Sequence, residues 1–285
     1  PETMGQRANA QGLDLNRDWV KLDSPEARGI VRFMNEWDPI VIVDSHTTNG
    51  SRHEHVITHQ GPKHPAGDAA VIEFARDRFL PAIDRRFAEA TPWEAFVYGN
   101  FSADKTRWTT YPADPRYGSA YRGMRNRLGI LVEAYSYATF RDRVIGTLEF
   151  CRAVLQETAE RAPEIRRLVR EADRRVAEAP IGTPVPLRVE ARDLPGTWSV
   201  RGFEEPEGRR GPAGEPRRFE VALQNLFVPV LSVPRPAGYL IPAEHAELAE
   251  HLVRHGVDVG RLREQVEVRV EVAPITAVTR ADAAW

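Results

Sequence analysis

Short unbroken apolar runs alternate, over the first 160 residues, with stretches in which apolar positions return every three or four residues. That double rhythm predicts an α/β sheet flanked by helices. Ile30, Val31, Phe33, Met34 and Trp37 recur at helical spacing. Ser24-Pro25-Glu26 ahead of them offers a capping hydroxyl and a proline suited to a first turn, and Pro39 ends the run. Residues 40–43 (Ile-Val-Ile-Val) are a continuous β-branched stretch, as expected of a strand buried on both faces. A second helix is predicted over about 68–87, a second short buried strand over 129–132, and two Arg/Glu-rich helices over about 141–160 and 163–179.

The pattern changes near Pro180. Residues 179–184 read as a linker and 204–216 as a polar Gly/Pro-rich loop. Short β-like segments follow at 187–190, 197–200, 219–222, 228–233 and 266–272, with one helix over 242–255 closed by Gly256. The expected organisation is a domain over 1–179 with a mixed, largely parallel sheet flanked by helices, and a smaller β-rich appendage over 180–285. The β-like end close to Trp285 suggests a region continuing beyond it.

Composition narrows the classes. The chain has 285 residues, 42% hydrophobic and 28% charged, as in an ordinary globular protein. A net charge of -2 gives no basic footprint for nucleic acid. No run of eighteen apolar residues is present, so no membrane-spanning helix is expected. The basic residues are almost all Arg; Lys21, Lys63 and Lys105 are the lysines. Cys151 is alone, so no intramolecular disulfide can form, and the compartment stays open. Pro1 opens the chain without Met or a leader pattern, the look expected of an internal segment.

Three polar groups each follow a strand-like run: Asn16-Arg17 after 13–15, His46 after 40–44, and Glu133 after 129–132. Ligands of open α/β sheets bind beyond the carboxyl ends of strands, so polar residues there are site candidates. Singly, each has an ordinary explanation. Arg17 could pair with Asp14 or Asp18, and His46 could be a hydrogen-bonded structural histidine. Glu133, set within Ile-Leu-Val-Glu-Ala, is costly to bury unless paired or functional.

Residues 7–17, Arg-Ala-Asn-Ala-Gln-Gly-Leu-Asp-Leu-Asn-Arg, closely resemble the Arg-x-Asn-x-x-Gly-x-Asp-Leu-Asn-Arg segment of zinc metallocarboxypeptidases, nearest to the branch of carboxypeptidases D and E. Asp44-Ser45-His46-Thr47 resembles the site of that family's third zinc ligand, and residues 131–135 resemble the strand carrying its catalytic glutamate. The resemblance covers about residues 5–155. It implies one catalytic Zn²⁺ with His46 as a ligand, Glu133 as general base, and Arg7 stabilising the oxyanion. It further implies that Asn16 and Arg17 hold the terminal carboxylate of a peptide substrate.

The first two zinc ligands of the family lie on a His-x-x-Glu pair ahead of the Arg7 segment. None of the eight histidines has Glu three residues on, so the missing ligands are expected upstream of Pro1 and the chain as it stands is expected to bind zinc weakly or not at all. The family's substrate-covering tyrosine falls among Tyr111, Tyr117 and Tyr121, which spacing does not separate; Tyr111 is the candidate, in a Pro/Gly-marked loop suited to motion. His53, His55, His59 and His64 follow His46 at spacings that fit no compact metal pattern, though His53 or His55 could line a pocket. Arg125 and Arg127 could add charge to the site or form a solvated surface pair.

The reading is therefore zinc-dependent hydrolysis of the C-terminal peptide bond of peptides carrying a free carboxylate. Two alternatives remain at this level: an N-acyl amino acid deacylase of the succinylglutamate desuccinylase/aspartoacylase type, which has a related segment, and a non-catalytic peptide-binding module.

Overall fold

The Ser24 hydroxyl accepts from Ala27 N and starts α1 (Pro25–Trp37), which ends at Asp38 in the left-handed conformation, just ahead of Pro39. The computed structural model describes residues 7–204, 214–272 and 274–278. After α1 come β1 (Val41–Thr48), β2 (Ile57–Gln60), α2 (Ala69–Phe74), a π-helical turn (Ala75–Phe79) and α3 (Leu80–Ala90). Three short strands follow: β3 (Phe96–Val97), β4 (Asn100–Phe101) and β5 (Arg107–Thr109). Next are α4 (Gly118–Met124), β6 (Leu128–Tyr135), α5 (Phe140–Glu160) and α6 (Ala162–Ala177). The remainder holds β7 (Pro184–Asp193), β8 (Trp198–Phe203), β9 (Pro216–Pro234) and α7 (Ala246–Arg254). The fold is α/β with mixed sheets, one of them largely parallel, flanked by helices.

The first sheet runs β1-β6-β2-β3, with β1/β6 and β2/β3 parallel and β2/β6 antiparallel. Its core joins Leu128, Ile130 and Val132, which share one face of β6, to Val71, Phe79, Ile83 and Phe87 of the α2–α3 segment and to Phe150, Val154, Ile165 and Val169 of α5 and α6, which pack against that segment. Every residue of β6 is buried. β1 is different: Val41, Ile42 and Val43 are only partly buried, not sealed on both faces. The reason is topological, since among the described residues no strand pairs with the other edge of β1. α1 likewise divides its apolar positions. Ala27, Val31 and Met34 are buried, and Ile30, Phe33 and Trp37 form a second, exposed stripe.

The second sheet runs β4-β5-β9-β7, with β8 on β9. The two β-like runs expected at 219–222 and 228–233 are one strand, β9, which pairs in parallel with β5 through Trp108↔Leu223 and antiparallel with β7 and β8. Trp108, fully buried, packs there with Val200, Val221 and Leu223. β7, β8 and β9 thus share a sheet and a core with β4 and β5. By contacts the chain divides into a unit Pro1–Leu240, which includes both sheets, and a unit Ile241–Trp285. In the second unit α7 ends as expected, with Gly256 at φ +78°. Residues 266–272 form no strand there. Of the predicted 204–216 loop, 205–213 lie outside the described residues.

Candidate active site

The strands carry the site further along than the apolar pattern implies. His46 is not beyond β1 but within it, and Glu133 is within β6; the two are direct Cα partners across the parallel ladder. Residues alternate faces along a strand, so Asp44, two before His46, shares its face. Asn16 and Arg17 do not follow a strand. They sit in a 3-10 turn (Leu15–Arg17) capped by Asp14, whose side chain accepts from Asn16 N at 3.0 Å. The Pro/Gly-marked segment around Tyr111 is likewise not all loop, because Gly118–Met124 forms α4.

These separate segments meet. Arg7, Asn16, Arg17, His46, Tyr111 and Glu133, the six residues selected from sequence, all line one cavity of about 370 Å³. Asp44, Tyr98, Tyr117 and Ser119 line it as well. The carboxyl ends of β1 and β6 lie side by side, and α4 contributes Ser119.

At its base, His46 Nε2 donates to Asp44 Oδ1 at 2.9 Å, and Arg122 Nη1 donates to Asp44 Oδ2 at 2.7 Å. Arg122 is buried, with its guanidinium 4.4 Å from the Trp19 ring. Burial alone would push the Asp44 carboxyl up. The His46 hydrogen bond and the Arg122 charge outweigh it and hold the group at about 2. The Asp44 hydrogen bond in turn raises His46 above its ordinary value against the opposing effect of burial. A carboxylate only accepts, so His46 Nε2 carries the proton; in the neutral ring Nδ1 is then the lone-pair nitrogen, the arrangement of a metal-ligating histidine.

Glu133 is 8% exposed, and its Oε2 is buried without a hydrogen-bond partner. Burial is the main cause that pushes its carboxyl up to about 7; the Asp44 charge adds to it, while His46 and Arg7 oppose it. A carboxyl balanced near neutrality can both take and return a proton.

Basic groups line the cavity beside it. Arg7 Nε pairs with Asp14 Oδ2 at 2.5 Å and is otherwise largely exposed. Arg17 lies 4.4 Å over the Tyr117 ring, and its Nη1 donates to Asn16 O at 2.8 Å. Asn16 Oδ1 accepts from Gly118 N at 3.2 Å, which leaves Nδ2 as its donor. The Tyr111 hydroxyl meets Ser119 Oγ at 2.5 Å, and its ring has Tyr98 and Tyr117 edge-on at 5.5 and 5.2 Å. Tyr111 is thus packed on several sides within the irregular stretch between β5 and α4. Burial raises its phenol above the usual range.

Other candidates fall elsewhere. Arg127 pairs with Asp38 and Asp173, and Arg125 donates to Asn35. His53 and His55 line a separate cavity of about 540 Å³, His59 Nε2 lies 2.8 Å from Asp84, and His64 Nδ1 accepts from Ala66 N. Sequence reasoning assigned no role to Asp44 or Arg122. The two-residue step from Asp44 to His46 on a strand could have signalled the first; nothing local signals the second.

Among the described residues, no group of three or more metal-ligating side chains comes together. A catalytic zinc takes three protein ligands and an open position. His46 offers one, so the described residues alone do not make up such a set. No family model matches this chain, and no curated protein and no solved structure matches it.

Proposed function

We propose that this cavity receives the C-terminal carboxylate of a peptide and that the chain takes part in hydrolysing the adjoining peptide bond, as in the metallocarboxypeptidases its motifs resemble. The supporting observation is the juxtaposition in one cavity of a carboxyl held near neutrality with an unpartnered oxygen, Glu133, and two arginines, Arg7 and Arg17. Arg17 and Asn16 Nδ2 bind the terminal carboxylate, and Tyr111 adds a phenolic donor. Arg7 faces the oxygen that becomes negative when water adds to the scissile carbonyl. Glu133 takes the proton of that water and returns it to the leaving amine nitrogen. Zinc, when bound, would supply a Lewis acid at that carbonyl; His46 would be one ligand, and the others would come from outside the described residues.

The test is hydrolysis, with zinc present, of one peptide carrying either a free or an amidated C-terminus. Cleavage of the free form alone, abolished in Glu133→Gln while binding persists, is the expected result. Equal handling of both ends would overturn the carboxylate assignment. Tight binding of the free end without cleavage would favour a peptide-binding module, and preference for N-acyl amino acids would favour a deacylase.

A further inference from the structure

Lys63 is 5% exposed, and among the described residues no carboxylate lies within ion-pairing distance of it. Burial of an unpaired ammonium is costly, and it lowers the Lys63 pKa well below its usual value. Such a group persists where its donors are fully used. Its three donors have three takers: Nζ donates to Tyr111 O at 2.6 Å, donates to Thr110 Oγ1 at 3.2 Å, and stands 3.2 Å from the centre of the Tyr111 ring. Thr110 passes its own proton to Gln60 Oε1 at 3.3 Å, so its hydroxyl oxygen is free to accept. On the other side Phe227 of β9 lies 5.0 Å from the ammonium.

Two of the three contacts are to Tyr111 itself, one to its backbone and one to its ring. With the hydroxyl on Ser119 Oγ, the tyrosine is fixed at both ends. We propose that Lys63 is a positioning residue of the candidate site, clamping Tyr111 from behind so that its phenol stands in the cavity as a fixed donor to the bound carboxylate. The last clause rests on the carboxylate reading above; the clamp does not. β9 then has a part in the site too, closing the back of the clamp through Phe227.

The test uses Lys63→Met, which keeps length and loses all three donors, with Lys63→Gln as a second variant should the first not fold. 3-Fluorotyrosine labelling, with the Tyr111 fluorine resonance assigned by Tyr111→Phe, reports the clamp without any ligand. A shift or broadening of that resonance in Lys63→Met is expected. The free-carboxylate peptide should bind about tenfold more weakly, the loss of roughly one hydrogen bond to a charged group. The amidated peptide should be unaffected, and the double variant Lys63→Met/Tyr111→Phe no worse than Tyr111→Phe. A folded variant with the Tyr111 resonance unmoved overturns the clamp, and so does a loss that adds in full to that of Tyr111→Phe. If the wild type binds free and amidated peptides alike, the carboxylate reading fails and the fluorine resonance alone decides the clamp.

Discussion

His46 on β1 and Glu133 on β6 are register partners on parallel strands, so an imidazole and a carboxyl stand at the same level of the sheet. Burial raises the Glu133 carboxyl, and the neighbouring His46 opposes that rise. The carboxyl's raised value, about 7, means stability that is fully present below the ordinary carboxyl range and lost as pH rises through about 7. Glu133→Gln should therefore melt higher than wild type at pH 8 by roughly 3 kcal/mol, with little difference at pH 4. Thermal melts at the two pH values check this.

Asp44 has the opposite sign. Its carboxyl, held at about 2, contributes stability present above the ordinary value and lost as pH falls toward 2, about 2 kcal/mol in all. Asp44→Asn should lose stability at neutral pH and converge on wild type in acid. In the zinc-free protein the His46 titration, followed by NMR, should move down once its partner is gone.

Arg17 is the proposed partner of the substrate's terminal carboxylate. Arg17→Ala should weaken binding of a free-carboxylate peptide by roughly ten- to a hundredfold, as for a hydrogen bond to a charged group, and leave the amidated peptide unchanged. Calorimetric titration of both peptides reads the difference.

Gly118 has space for nothing larger. A Cβ there would lie 2.8 Å from Asp44 Oδ2 and 3.0 Å from the Trp19 ring. Gly118→Ala should cost on the order of 1–3 kcal/mol, seen in denaturant unfolding, and should impair the site by displacing Asp44.

A chain ending at residue 179 would keep every residue of the candidate site but lose β9, the parallel partner of β5. It would leave Trp108, fully buried in the intact protein, without Val200, Val221 and Leu223. Such a truncation should not fold cooperatively, which tryptophan emission and gel filtration would show.

What was legible in the sequence follows from range. α1 announces itself through its Ser24 cap and helical spacing, and α5 and α6 through long Arg/Glu-rich helical patterns, all local signals. β2 escapes because Ile-Thr-His-Gln carries no apolar run, although all four residues are buried. The division near 180 reflects a true change of local pattern, while the β5–β9 ladder across it joins residues more than a hundred positions apart and has no local trace. The six site residues were accessible through motif resemblance and brought to one cavity by the fold. Arg122 and Lys63 were not, because a buried cation is identified by its surroundings and not by its neighbours in sequence.

Among the described residues β1 is the outer strand of its sheet, and no strand pairs with its other edge. Phe140, Val144 and Leu148 of α5, each at least half exposed, line a depression that also includes His46 and Thr47. A long uncovered edge is a template for another extended chain, and a net charge of -2 offers little mutual repulsion. Because His46 and Thr47 also line the candidate cavity, a molecule adding there would crowd its entrance.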